Sequence, residues 1–171
     1  MSPARACPRL VGCFTLLLFV SPPAFAFERQ WHLGGGVGAA FPSNGYDLGP
    51  ALALHGAYGI SDVFDLRLEL QGSRNDFQGT PVSFYGARLG LAYKIDIIEW
   101  IPYIGVSGGS FGVVWSESFV LRPSAGAFFG LDYAVSRHFG LGVLAVGDII
   151  IANPSVTVGA VLLRAEYRFG W

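Results

Sequence analysis

The sequence predicts an all-β protein, a single eight-stranded antiparallel up-and-down transmembrane β-barrel. Its composition is apolar, with 52% hydrophobic and only 13% charged residues, whereas ordinary soluble domains carry about 25% charged residues. No run of about 18 apolar residues is present, which excludes a transmembrane helix and leaves a closed barrel as the way to cross lipid. Eight segments alternate apolar and polar residues, as strands with two different faces do.

Residues 1–26 have the layout of a cleaved secretory signal peptide. Two arginines precede the apolar stretch 10–20, and Ala24-Phe25-Ala26 forms an A-x-A cleavage site. An N-terminal anchor helix is disfavoured because the apolar stretch is short and is followed by two prolines. We expect cleavage after Ala26, which leaves residues 27–171 as the barrel domain. Both cysteines are removed with the signal, so the mature chain has no disulfide and no thiolate ligand.

The alternation is sharpest in the segments 63–72, 83–95, 120–135 and 161–171. In the last of these, Arg164, Glu166 and Arg168 share one face, and the apolar residues share the other. The alternation is weaker in four further segments, which are 30–41, 50–60, 100–110 and 138–149. The faces of segment 100–110 remain unassigned at this stage. An even number of strands allows an up-and-down sheet to close with both chain ends on one side.

The predicted connections alternate in length. Three are tight turns, at 60–63, 96–99 and 135–138. Four are longer and carry Pro, Gly, Asn and Ser, at 42–49, 73–81, 111–118 and 150–157. Short turns on one side of the membrane and longer loops on the other are typical of bacterial transmembrane barrels, with the short turns and both termini in the periplasm.

A soluble barrel is the alternative, because alternation does not tell which face points outward. The low charge argues against it, since a soluble surface needs far more charged residues. Aromatic residues also cluster at the ends of the apolar face, as they do at the two lipid–water interfaces of membrane barrels. These aromatic residues are Trp31, Phe41, Tyr58, Tyr93, Trp100, Tyr133, Phe139, Phe169 and Trp171.

The C-terminus resembles the final strand of bacterial outer-membrane barrels. That strand ends in an aromatic residue, most often Phe, with apolar residues at alternate positions; Tyr167, Phe169 and Trp171 have this spacing. The segment 102–109 is similar to a Gly-rich strand of the same superfamily. The mature chain therefore resembles the small OmpA/OmpX-like outer-membrane β-barrel family.

The resemblance implies a location and a set of partners. Members of the family lie in the outer membrane of Gram-negative cells. The barrel-assembly machinery recognises their C-terminal signal, here Tyr167, Phe169 and Trp171. The expected partners are this machinery, the outer-membrane lipid and lipopolysaccharide, and the expected state is a monomer. The net charge of −1 lacks the basic excess of a nucleic-acid-binding protein.

With the apolar face outward, the barrel interior is predicted to hold a network of charged side chains. An eight-stranded barrel has an interior just wide enough for side chains to fill, and buried charges must pair. We therefore expect a structural plug, with a narrow ion-conducting pore as the alternative. The predicted lumen charge network is Asp65, Arg67, Glu69, Arg88, Lys94, Arg122, Asp132, Asp148, Arg164, Glu166 and Arg168.

No catalytic, cofactor or metal site is predicted. Some eight-stranded barrels modify lipid A through a His-x-Ser pair, but none of His32, His55 and His138 has a serine two positions later. Ser136 precedes His138 in the reverse order, and no ligand spacing fits a metal. The predicted function is a non-enzymatic structural or surface-interaction role, with a lipid A-modifying enzyme as the other alternative.

Three aromatic residues in the predicted longer loops are candidates for a small surface contact patch. They are Phe77, Phe111 and Trp115. The alternative is that they belong to the aromatic girdle at the external lipid interface.

Overall fold

The computed structural model describes residues 29–95, 99–116 and 118–170. Consecutive strands pair antiparallel, and β8 returns to pair with β1, so the sheet closes into a barrel. This confirms the predicted fold class. The strands are β1 (Trp31–Pro42), β2 (Gly49–Gly59), β3 (Phe64–Phe77), β4 (Thr80–Lys94), β5 (Trp100–Trp115), β6 (Ser118–Ala134), β7 (Phe139–Ile150) and β8 (Val156–Phe169).

Two predictions made from the sequence concern residues that lie wholly or partly outside these ranges. The signal peptide 1–26 and Trp171 are not among the described residues. Within the described ranges, no helix has the length and apolar character needed to cross a membrane.

Alternation along the strands separates an apolar outer wall from a buried interior. On β4, Leu89 and Leu91 are exposed on the outer wall, while Arg88 and Lys94 are buried. The faces of β5, unassigned from sequence, follow from its buried Tyr103, since successive side chains point to opposite faces. The outer wall therefore continues across all eight strands.

Aromatic side chains form a girdle around the end of the barrel at which both described chain ends lie, here called the near end. They contact each other across strands, as amphipathic rings at a lipid–water interface do. The ring centroids are 4.8 Å apart for Trp31 and Tyr58, 5.4 Å for Phe64 and Tyr93, 5.0 Å for Trp100 and Tyr133, and 6.2 Å for Tyr167 and Phe169.

At the opposite end, the far end, two predicted loops prove to be strand. The prediction of a loop at 73–81 is wrong, because β3 and β4 pair as far as Phe77 and Thr80 around a turn at Gln78-Gly79. The loop at 111–118 is wrong in the same way, since β5 and β6 pair as far as Trp115 and Ser118. The far end therefore carries two protruding hairpins, with the loop 43–48 on one side of them and the loop 151–155 on the other.

The polar residues of 73–76 suggested a loop, but one of them has a structural role in the strand. The Asn75 side-chain amide donates hydrogen bonds to the carbonyl oxygens of Ala40, at 3.0 Å, and Asp47, at 2.9 Å. It also accepts a hydrogen bond of 2.9 Å from the Ser73 hydroxyl. Asn75 thereby holds the β1–β2 loop against the extension of β3.

Glycines on the inner face make room for large rings. A Cβ atom at Gly130 would overlap the Tyr103 ring, and one at Gly105 would overlap the Phe128 ring. Both rings are buried in the interior. These inward glycines are thus part of the packing of a narrow lumen.

We predict that Gly130→Ala lowers the free energy of unfolding by about 1–3 kcal/mol, because the added methyl group overpacks the interior. The matched control is Gly147→Ala, at an outward position where a Cβ meets nothing within 4 Å. Urea unfolding of the refolded protein in detergent measures both variants. Equal loss of stability in the two variants would contradict the packing described above.

Candidate functional site

The barrel interior consists of a charged half at the near end and an apolar half at the far end. The charged half holds carboxylates, guanidinium groups, one lysine and two histidines, all buried. The far half contains a cluster called here the apolar plug, formed by Val82, Phe84, Phe111, Ile150 and Val158. Each of these five side chains is at most 2% exposed. The site is therefore built from two layers with opposite chemistry.

Arg88 forms the bridge between opposite sides of the interior. Its guanidinium donates hydrogen bonds to the carboxylates of Glu69 on β3 and Asp148 on β7. It also donates to the Gln71 side-chain oxygen at 2.8 Å. Since β4 and β7 are not neighbours in the sheet, this cluster spans the lumen. Charge-assisted hydrogen bonds of this kind are what make buried charges tolerable.

Glu166 is the centre of a second cluster. Its carboxylate accepts hydrogen bonds from Arg164 and, at 2.8 Å, from Nε of Arg168. Nδ1 of His32 and Nε2 of His55 each lie 3.4 Å from a Glu166 oxygen. Nε2 of His55 is closer to an Arg164 nitrogen, at 2.8 Å. Because arginine only donates, that Nε2 accepts from Arg164 in the tautomer that carries its proton on Nδ1.

The remaining charges of the interior are also held by neighbours. Lys94 and Asp65 form an ion pair at 2.7 Å. The Arg67 guanidinium lies over the rings of Tyr103, at 4.6 Å, and Phe128, at 5.5 Å. Such cation–π contacts stabilise a desolvated guanidinium. The described interior thus carries balanced charge, with basic and acidic groups facing each other.

The structure brings together ten members of the predicted lumen network. They are Asp65, Arg67, Glu69, Arg88, Lys94, Asp132, Asp148, Arg164, Glu166 and Arg168, and all are buried. Arg122 is a correction, because it is exposed. It has the inward register, but β6 pairs with β7 only from Ser124 onwards. Arg122 therefore lies on the protruding hairpin, where no opposite wall covers it.

The predicted contact patch also needs correction. Phe111 belongs to the apolar plug and has no exposed surface. Phe77 and Trp115 do lie at the rim of the far end, with ring centroids 5.1 Å apart. For the plug residue Val158 the sequence did carry a signal, since in 158–163 the residues of both faces are apolar or small. Such two-sided segments indicate burial on the inner face as well.

The described side chains offer neither a metal site nor a paired nucleophile and base. No group of three or more His, Cys, Asp or Glu residues within the described ranges is placed to hold a metal. The Ser136 hydroxyl accepts hydrogen bonds from the backbone N–H groups of His138, at 3.3 Å, and Phe139, at 3.1 Å. It therefore shapes the β6–β7 turn.

We predict that Arg88→Met costs about 3–5 kcal/mol of stability, because it leaves two buried carboxylates without their cation. The triple variant Arg88→Met/Glu69→Gln/Asp148→Asn should recover at least half of that loss. Arg122→Met, on the exposed hairpin, is the control and should stay within about 0.5 kcal/mol of the parent. A triple variant no more stable than the single one would show that the carboxylates do not depend on Arg88.

Comparison with known proteins gives matches at the level of structure only. No protein-family model matches the sequence, and no curated protein matches it. Neisserial surface protein A (NspA) superimposes with a TM-score of 0.70 at 18% identity, covering 81% of this chain and 97% of its own.

Two further outer-membrane proteins are similar. OprG of Pseudomonas aeruginosa has a TM-score of 0.63 at 13% identity and covers 86% of this chain and 100% of its own. The attachment invasion locus protein Ail of Yersinia pestis has a TM-score of 0.54 at 18% identity and covers 84% of this chain and 100% of its own. At such identities the likeness concerns architecture: this chain has the fold of the small eight-stranded outer-membrane β-barrels.

Proposed function

We propose that the protein is a non-enzymatic component of the outer membrane of a Gram-negative cell, with a structural or surface-interaction role and a closed interior. The observation that carries the proposal is the combination of an apolar outer wall with a lumen filled from end to end. A wall of this kind suits lipid, and a filled lumen suits neither transport nor catalysis inside the barrel.

The outer wall supports the membrane location. Soluble monomers rarely expose apolar patches larger than a few hundred Å². Here leucines on successive strands are half or more exposed, for example Leu54 at 64%, Leu68 at 54% and Leu163 at 65%. The aromatic girdle of the near end marks one edge of this belt, as it does in barrels with an apolar band about 25 Å tall.

The interior argues against an open pore. Two cavities between described side chains of the charged half have room for about one water molecule each. Beyond them, the buried rings of Phe84 and Phe111 close the far half. An ion crossing this layer would lose its hydration against mainly apolar side chains, because the buried amide of Asn75 already donates its hydrogen bonds to backbone carbonyl oxygens. Such a loss of hydration costs many kcal/mol.

A surface-interaction role has some support at the far end. The β5–β6 hairpin presents exposed apolar side chains, with Phe119 at 63% and Leu121 at 60% exposure. Two of the similar structures bear names that refer to the surface or to attachment. The hairpins and loops are short, so any partner would meet a small area.

The rival function is modification of lipid A. Comparing the lipid A mass profile of cells with and without the protein separates the two functions. An unchanged profile supports the non-enzymatic proposal, and loss or gain of an acyl chain that depends on the protein would overturn it.

We predict that planar-bilayer recordings of the refolded protein show no steady conductance. The double variant Phe84→Ser/Phe111→Ser should conduct small currents, because it makes the apolar plug polar and smaller. The control is Phe119→Ser, on the outer face of the hairpin, which should remain silent. Large, stable channels in the unchanged protein would contradict a closed interior.

We predict that Phe169→Asp, like Trp171→Asp, prevents accumulation in the outer membrane. The substitution removes an aromatic residue of the C-terminal signal and puts a charge among the girdle rings, where Phe169 stacks with Tyr167. Val135→Asp places the same charge at the exposed β6–β7 turn and should leave membrane levels unchanged. Fractionation and immunoblotting measure all three, and normal membrane levels of the Phe169 and Trp171 variants would contradict the role of this strand as an assembly signal.

A further inference from the structure

A groove of about 790 Å³ crosses the outer wall from β1 to β6. Its cause is an alternation of large and small outward residues along one row of the sheet. Leu52 pairs with Gly72, Gly72 with Tyr85, and Tyr85 with Gly112. The Phe119 ring on β6 covers Gly112 and closes the groove on that side. The lining is almost wholly apolar.

The groove has the length of one lipid tail. Its stretch from β4 to β1 crosses three strand spacings, or about 14 Å. One leaflet of a bilayer contributes half of a hydrocarbon core of about 30 Å, or about 15 Å. A single extended acyl chain can therefore lie in this stretch.

A cationic side chain lies beside the groove, on the side towards the far end of the barrel. Arg74 is the next outward residue of β3 after Gly72, about 7 Å further towards the far end. It is exposed, and no ion pair to it occurs within the described part of the chain. Ser83, its partner on β4, offers a hydroxyl on the same face. Asp76, the outward residue that follows, is the one acidic neighbour along the strand.

We propose that the groove binds one acyl chain of lipid A, with a lipid A phosphate on Arg74. A guanidinium pairs with phosphate oxygens through two parallel hydrogen bonds, which gives the head group a fixed position above the tail. The far end lies opposite the chain termini, so it faces the outer leaflet, where lipid A is the phosphate-bearing lipid. This inference rests on the proposed outer-membrane location.

The test is native mass spectrometry of the refolded protein in detergent, titrated with diphosphoryl lipid A. We expect one lipid A per barrel. Gly72→Leu and Ala87→Leu fill the groove and should weaken binding at least about tenfold, which corresponds to 1.4 kcal/mol. Gly147→Leu adds the same side chain to open outer wall on β7 and should bind like the parent. The shift of unboiled protein on a gel confirms that each variant is folded.

The head group is tested separately. Arg74→Gln should weaken diphosphoryl lipid A about fivefold, whereas Arg137→Gln, on a turn at the near end, should not. Monophosphoryl lipid A should bind the parent more weakly than diphosphoryl lipid A does. The Arg74→Gln substitution should reduce this difference in affinity between the two lipids. Asp76→Asn should strengthen binding, because it removes a negative charge that repels the lipid A phosphate.

Two results would overturn the proposal. Equal binding by the Gly72→Leu, Ala87→Leu and Gly147→Leu variants would mean that lipid covers the wall without using the groove. Equal binding of phosphatidylglycerol and lipid A would overturn the assignment to lipid A. Because binding is measured on purified protein, these results are independent of the fractionation that tests the membrane location.

Discussion

Sheet closure is the constraint on which the rest of this structure depends. In lipid, every backbone N–H and C=O must find a partner within the protein, and a sheet achieves this only by pairing its last strand with its first. Here β8 pairs with β1 over the full length of β1. With eight strands the resulting lumen is narrow, so every inward side chain must fit against those from the opposite wall. Fixed backbone pairing thus dictates how the interior can be filled.

The filling solves two different problems at the two ends. Near the chain termini, carboxylates and guanidinium groups compensate each other in clusters centred on Arg88 and Glu166. Near the hairpins, the aromatic and aliphatic side chains of the apolar plug exclude water. Glycines such as Gly130 accept the large rings that stand between these layers. Charge and volume together close the channel.

The outer wall is uneven for a related reason. Small residues are needed where a backbone or an aromatic ring approaches closely, and some of these residues lie on the outer wall. The alternation of Leu52, Gly72 and Tyr85 leaves a depression in the outer wall. The outer wall therefore has a local shape that a uniform belt of leucines would not provide.

The sequence predicted the strand number, the closure and most of the inward charges, because alternation has a period of two and buried charge is conspicuous in an apolar chain. The prediction from sequence failed where the structure depends on strand length or on contacts between residues far apart in the chain. Arg122 has the inward register but lies beyond the residues of β6 that pair with β7. Alternation does not show where the pairing between two strands ends. Phe111 was predicted to lie in a surface loop, because the alternation does not show that β5 pairs with β6 as far as Trp115. Residues 73–76 looked like a loop because the role of Asn75 depends on Ala40, far away in the chain. The convergence on Glu166 required the register of β1, β2 and β8 together.

We infer that lipid covers one face of these strands and that the opposite face is sealed inside the barrel. Leu162 and Leu163 are adjacent on β8, yet Leu162 is 1% exposed in the interior and Leu163 is 65% exposed on the outer wall. The most direct measurement is the nuclear Overhauser effect between leucine methyl groups and lipid acyl chains in nanodiscs. We expect strong contacts for Leu163 and none for Leu162. Lipid contacts at Leu162, or their absence at Leu163, would contradict it.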